Sequence, residues 1–151
     1  MSAYHGRPNE TSELIWQDER GRTFIRSGDI GCQDEDGYLK LVDRKKDMII
    51  SGGFNVFPSD LEEIIGQHPD VLDATVIGVP HERWGETPLA LIILRPGAVF
   101  DSSAMLPWCN QRLAKHQRLS NIETRQDFPR NALGKVLKRV LREPYWKNEK
   151  S

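Results

Sequence analysis

The tripeptide Ser27-Gly28-Asp29 places a carboxylate directly after a glycine. An anionic acceptor in such a setting can take hydrogen bonds from the vicinal hydroxyls of a ribose, although the same three residues also make an ordinary turn. Downstream, Asp43-Arg44-Lys45-Lys46-Asp47 leads into Met48-Ile49-Ile50 and then Ser51-Gly52-Gly53-Phe54-Asn55. Paired glycines let a backbone turn sharply or be approached closely. Two further strings stand out: His81-Glu82-Arg83-Trp84-Gly85-Glu86, and Pro129-Arg130-Asn131-Ala132-Leu133-Gly134-Lys135-Val136. In the second, a lysine follows a glycine. Lys135, Lys138, Arg139 and Arg142 could equally form the solvated face of a basic helix.

The elements that must position these residues follow from periodicity. Residues 1–26 are polar and irregular, interrupted by Leu14-Ile15-Trp16 and Thr23-Phe24-Ile25, and read as an arm or the edge of a larger unit. An acidic turn, Cys32 to Gly37, precedes a strand at Tyr38–Val42, and Asp47–Ile50 is a second short strand. A helix over Pro58–Gly66 is predicted from Pro58 or Ser59 at its start, acids in its first turn, and Leu61, Ile64 and Ile65 on one face. Strands Val71–Val79 and Pro88–Leu94 flank a polar loop at Pro80–Thr87. A helix over Ser102–Leu113, a strand over Asn121–Asp127 and a basic helix from about Lys135 to just before Pro144 complete the order. The expected class is α+β, a β-hairpin followed by a three-stranded sheet flanked by helices.

Length and charge exclude several functions. The chain has 151 residues, with 21 Lys+Arg against 22 Asp+Glu, which suits one domain, or a domain with an arm, rather than a large multi-domain enzyme. A net charge of −1 lacks the field that drives general nucleic-acid binding. The Lys135–Arg142 patch without interleaved aromatics does not supply it. The apolar stretches fall well short of the roughly 20 residues of a membrane helix, and the first residues lack the pattern of a secretion signal or transit peptide. Cys32 and Cys109 lie far apart with no CxxC, so they read as reduced cytoplasmic thiols rather than a disulfide or metal site.

Taken together and in order, these strings resemble the adenylate-forming ligases, especially the acyl- and aryl-CoA synthetases. The segment from Asp43 to Asn55 is similar to their Asp-Arg-Lys-Lys-Asp-x-Ile-x-Ser-Gly-Gly-x-Asn. Ser27-Gly28-Asp29 resembles their Thr-Gly-Asp, His81–Glu86 their Trp-Gly-Glu loop, and Pro129–Val136 their Pro-x-x-x-x-Gly-Lys signature. The resemblance covers essentially the whole chain but only the last part of a family member. It implies that residues 1–45 are the tail of a large N-terminal AMP-binding domain and residues 46–151 the small, mobile C-terminal domain. The family's phosphate loop, acyl pocket and metal-binding acid are not in this sequence, so the chain alone is expected to be inactive and to bind no cofactor strongly.

The resemblance also implies roles. Asp29 would hold the ribose hydroxyls of ATP or AMP, with Arg44 in support, since a guanidinium fork suits ribose or phosphate oxygens. A surface ion pair with Asp43 or Asp47 is the plainer reading of Arg44. Lys46 falls at the hinge between domain orientations, and Lys135 is the adenylation lysine, reaching the acyl carboxylate and the α-phosphate. Gly52 and Gly53 would face the pantetheine channel in the second half-reaction, with Trp84 against the CoA adenine and Arg118 near its phosphates. No residue of this chain is expected to hold a metal; Mg2+ would accompany ATP. The partners implied are the N-terminal domain, a carboxylic acid and CoA, with no nucleic acid.

Phe54 stands where many relatives have Glu, Gln117 where Lys is common, and Leu119-Ser120 replaces Val-Pro or Arg-Pro. A non-catalytic α+β interaction module, and an adenylation domain that loads a carrier protein, are the alternatives. The Asp-Arg-Lys-Lys-Asp and Ser-Gly-Gly wording favours free CoA over a carrier.

Overall fold

Two hairpins open the part of the chain that the computed structural model describes, namely Ser12 and residues 14–147. The first pairs β1 (Ile15–Gln17) with β2 (Thr23–Ile25) in antiparallel register, where an irregular arm was expected. The reason is Asp18, whose Oδ1 accepts the Arg20 and Arg22 amides at 3.0 and 2.9 Å while Oδ2 accepts Arg22 Nε at 2.7 Å. These bonds, that from the Arg22 amide foremost, hold the Asp18 carboxyl below its ordinary value. Across the ladder Trp16 packs on Phe24 with ring centroids 5.3 Å apart. Residues 1–11 and Glu13, which belong to the same expected arm and include the residues read above for a targeting pattern, lie outside the described residues.

The second hairpin pairs β3 (Asp29–Gln33) with β4 (Leu39–Arg44). Its acidic turn is the expected one: Asp34 Oδ1 accepts the Tyr38 amide at 2.8 Å, and Gly37 takes φ +88°. These hairpins belong to one compact unit, which ends at Lys46; a second begins at Asp47.

The second unit is α+β, as expected, but its sheet has five strands rather than three. The hairpin β5 (Ile49–Ser51) and β6 (Phe54–Val56) joins it through a single pairing, Ser51 with Gly85. Helix α1 (Pro58–Gly66) follows, with Pro58 in the first helical turn, where its missing N–H costs nothing. Strands β7 (Val71–His81) and β8 (Gly85–Leu94) are longer than expected and leave only Glu82-Arg83-Trp84 between them. His81 makes so short a connection possible, because its Nδ1 accepts the amides of Arg83 and Trp84 at 3.2 and 3.3 Å, and Gly85 turns at φ +75°.

Helix α2 (Ser102–Asn110) is capped by Asp101, whose Oδ1 accepts the Ser103 and Ala104 amides. A 3-10 turn at Lys115–Gln117 precedes β9 (Asn121–Thr124), which lies parallel to β8. The last helix, α3 (Lys138–Lys147), departs from expectation at both ends. It starts after Lys135 because Val136 is drawn into an antiparallel bridge with Arg130, and it runs through Pro144. An interior proline costs a helix roughly 3 kcal/mol. Beyond it, Tyr145 Oη donates to Glu123 at 2.7 Å and Trp146 Nε1 to the Gly78 carbonyl at 3.1 Å, so the turn after the proline is anchored to β7 and β9. Burial works to raise the Glu123 carboxyl, but hydrogen bonds from Tyr145 and Arg125 outweigh it and hold that group below its usual range.

Strand β8 is apolar on both faces, and the period-two rule sorts it. Ala90 and Ile92 join a core with Leu61 and Ile65 of α1 and Met105 and Cys109 of α2. Leu89 and Leu91 face the other way, into a core built around Phe128, with Leu141 and Tyr145 of α3 packed on it. The open edge of β7 is served by Glu62 of α1, whose Oε1 accepts the Val76 amide at 2.7 Å and the Thr75 hydroxyl at 3.1 Å, and meets Lys138 Nζ at 2.7 Å. Lys138 is thus a tether, not part of a solvated face.

Both cysteines are free, Cys32 exposed and Cys109 buried. Burial pushes the Cys109 thiol up to about 11, which leaves a thiolate fraction on the order of a thousandth at pH 8. With a disulfide reagent under native conditions at that pH, Cys32 should react at once and Cys109 only on unfolding. Two fast thiols per chain would show that the α2 core opens readily. Among the described residues no helix is long and apolar enough to cross a membrane.

Candidate functional site

Asp29 and Arg44 are cross-strand partners in the β3–β4 hairpin, and Arg44 Nε lies 3.3 Å from Asp29 Oδ1. The hairpin mouth is fixed by Gly28, at φ +78°, whose carbonyl accepts the Lys45 amide at 2.9 Å. Arg44 therefore pairs with the other predicted nucleotide residue rather than with Asp47. Its backbone amide, not its guanidinium, goes to Asp43, at 2.7 Å. Both side chains are partly exposed and leave donor and acceptor positions open to a diol. Lys46 is exposed in the turn after β4 and is the last residue of the first unit.

Ser51 and Phe54 face each other across a two-residue turn made of Gly52 and Gly53, at φ +56° and +86°. Two successive positive φ values define a turn that only residues such as glycine occupy without strain. Gly52 is constrained a second way: a Cβ there would lie 2.8 Å from the Trp84 ring, and the Gly52 amide donates to the Trp84 carbonyl at 3.0 Å. Trp84 is thus seated on the glycine turn with the Arg83 guanidinium 4.5 Å from its ring centre.

That contact forms one wall of a cavity of about 580 Å³. Gly52, Trp84 and Arg118 all line it, so residues far apart in sequence meet at one place; Gly53 is not among the lining residues. The cavity combines an indole face, Phe54 stacked on His116 at 5.1 Å, and the cationic side chains of Lys115 and Arg118. Aromatic faces with nearby cations suit a flat heterocycle bearing phosphates. The backbone beside Arg118 is held firmly, because Asn110 Oδ1 accepts the Leu119 amide at 2.8 Å and Asn110 Nδ2 donates to its carbonyl at 3.1 Å. Ser120 donates through both its amide and its hydroxyl to the Pro88 carbonyl, each at 2.9 Å. The unusual Leu119-Ser120 pair therefore has its own local anchorage.

Lys135 stands at the end of a tight loop, exposed, on the amino-terminal side of α3. Phe128, 2% exposed, roots the loop in the second core, and the Leu137 amide donates to the Pro129 carbonyl at 2.7 Å. Gly134, at φ +80°, makes the return. Arg130 forms an ion pair with Asp73, near the start of β7.

Lys115, His116 and Phe54 were not anticipated as site residues. A basic-aromatic run without a fold cannot be told from a solvated turn, and only the β6 contact with the 115–117 turn brings Phe54 to His116. Among the described residues no cluster of three or more His, Cys, Asp or Glu could hold a metal ion.

The chain belongs to the AMP-binding enzyme C-terminal domain family, whose model matches residues 60–135, just over half of it. It is 43% identical over 148 residues to the 2-succinylbenzoate–CoA ligase of Geobacillus kaustophilus, covering 98% of this chain and 29% of that protein. It is 39% identical over 145 residues to the long-chain-fatty-acid–CoA ligase FadD13 of Mycobacterium tuberculosis, covering 96% and 28%. Among solved structures, ATP-bound MatB from Rhodopseudomonas palustris superposes with a TM-score of 0.83 at 38% identity, covering 95% of this chain and 28% of that one. The chain therefore spans under a third of the length of these relatives.

Proposed function

We propose that this chain is the C-terminal part of an AMP-forming acid–CoA ligase. In the first half-reaction a carboxylate oxygen attacks the α-phosphorus of ATP, giving acyl-AMP and pyrophosphate. In the second the CoA thiol displaces AMP to give the thioester. Asp29 accepts the ribose hydroxyls with Arg44 beside it, Lys135 neutralises charge on the carboxylate and α-phosphate, and the Gly52–Trp84–Arg118 cavity receives the CoA nucleotide while Gly52-Gly53 borders the path of its pantetheine arm. Mg2+ would enter with ATP, held by its phosphates and by the large domain. Relatives named for different acids share this region, which fits selection of the acid by that large domain. The setting is the cytoplasm, where Cys32 and Cys109 stay reduced.

One observation carries the reading. The loop that bears Lys135 is tied through Arg130 to Asp73, near the start of β7, whereas the cavity opens beside His81, at the end of the same strand. His81 lies eight positions along the extended strand from Asp73, roughly 26 Å at about 3.3 Å per residue. This separation supports a unit that presents its two ends to the acyl group in turn, with Lys46 as the pivot.

Pyrophosphate release with ATP, Mg2+, CoA and a panel of carboxylic acids tests the proposal. The isolated chain should give no turnover above background, and the full-length ligase should give robust turnover. Robust turnover by the chain alone would overturn the proposal.

A further inference from the structure

The geometry points to Asn131 as the positioning residue of Lys135, an inference that rests on the adenylation role proposed for that lysine. Asn131 lies four residues before it and has no chemistry of its own to offer, yet it makes most of the loop's internal bonds. Its Oδ1 accepts two amides, Leu133 at 3.0 Å and Lys135 at 2.9 Å. Its own amide donates to the Lys135 carbonyl at 2.9 Å, and its carbonyl accepts the Gly134 amide at 2.9 Å. Both backbone polar groups of Lys135 are therefore held by one residue.

A second brace fixes the loop to the sheet. Arg130 Nη1 donates to the Gly134 carbonyl at 2.7 Å while its Nη2 pairs with Asp73 of β7. The peptide groups on both sides of Lys135 are thus tied down before any substrate arrives. Between Phe128 and Val136, which pack in the second core, the loop is exposed, with Leu133 at its tip 92% accessible, and there the hydrogen bonds of Asn131 and Arg130 supply its order. A long side chain gains catalytic effect from a fixed root, because entropy lost before binding is not lost again in the transition state. Side-chain reach then needs only the rotamers beyond Cα to be chosen.

The role predicts a split between half-reactions. In the full-length ligase, Asn131→Ala removes the double acceptor and should lower kcat for pyrophosphate release on the order of tenfold to a hundredfold, the scale of a small misplacement of a reacting group. KM for ATP should change little, and thioester formation from preformed acyl-AMP and CoA should keep its rate. Asn131→Asp keeps an acceptor at the same place and should restore adenylation to within about threefold of the parent. Lys135→Ala, run alongside, separates the two ideas. If Lys135→Ala loses adenylation and Asn131→Ala does not, the positioning role is wrong and the adenylation role stands. If Lys135→Ala itself retains adenylation, both fall. Equal loss of the two half-reactions in Asn131→Ala, or no rescue by Asn131→Asp, would reduce Asn131 to a general structural residue and overturn the inference.

Discussion

Replacing Lys135 by alanine in the full-length ligase should slow acyl-AMP formation by on the order of 10²–10³-fold, the effect of removing one preorganised group from a developing charge. Thioester formation from preformed acyl-AMP should continue near the parental rate. The asymmetry follows from placement. Lys135 ends a loop braced to Asp73 at one end of β7, and the cavity lined by Gly52, Trp84 and Arg118 lies by the other end. In the proposed alternation, engaging the second end would withdraw the lysine and leave its side chain nothing to contribute. Arginine at this position should not rescue fully, since a planar fork does not replace a compact ammonium between two oxygens.

Gly52→Ala should produce the opposite pattern. Any Cβ at Gly52 falls 2.8 Å from the Trp84 ring, and the residue sits at φ +56°. A left-handed backbone costs a non-glycine residue roughly 1–2 kcal/mol, and relieving the clash displaces Trp84, a wall of the cavity. Thioester formation should therefore fall roughly tenfold to a hundredfold, while acyl-AMP formation is largely kept. A thermal melt serves as the control, since a loss of this size in stability alone leaves the domain folded at the assay temperature. Loss of acyl-AMP formation to the same extent would show that the turn supports the fold and not the acceptor site.

Much of this was legible in the residues themselves. Helix α1 reads directly from Pro58 and the spacing of Leu61, Ile64 and Ile65, and the hairpin at Asp34–Gly37 reads from its turn chemistry. The motif strings single out Asp29, Arg44, Gly52, Trp84 and Lys135 before any fold is known, and the family resemblance adds Arg118. What escaped depends on side-chain hydrogen bonds and contacts that hydrophobic periodicity does not reveal, some of them local and some between residues distant in sequence. The β1–β2 hairpin hangs on the three hydrogen bonds of Asp18, which no alternation of apolar residues announces. The short β7–β8 connection depends on His81 Nδ1 accepting two amides, and a polar stretch bounded by Pro80 and Pro88 reads as a longer loop. Glu143-Pro144-Tyr145-Trp146-Lys147 looks like a helix end because a proline stands in it; the bonds from Tyr145 to Glu123 and from Trp146 to Gly78 keep it helical. The cavity was legible only in part, since stacking of Phe54 on His116 joins residues some sixty positions apart.

The central claim is that one small unit serves two successive reactions from its two ends. The most direct test measures both half-reactions, acyl-AMP formation from acid and ATP and thioester formation from added acyl-AMP and CoA, in Lys135→Ala and Gly52→Ala enzymes prepared side by side. The prediction is a crossover, with Lys135→Ala losing the first and keeping the second, and Gly52→Ala the reverse. Parallel loss of both half-reactions in both variants would contradict it.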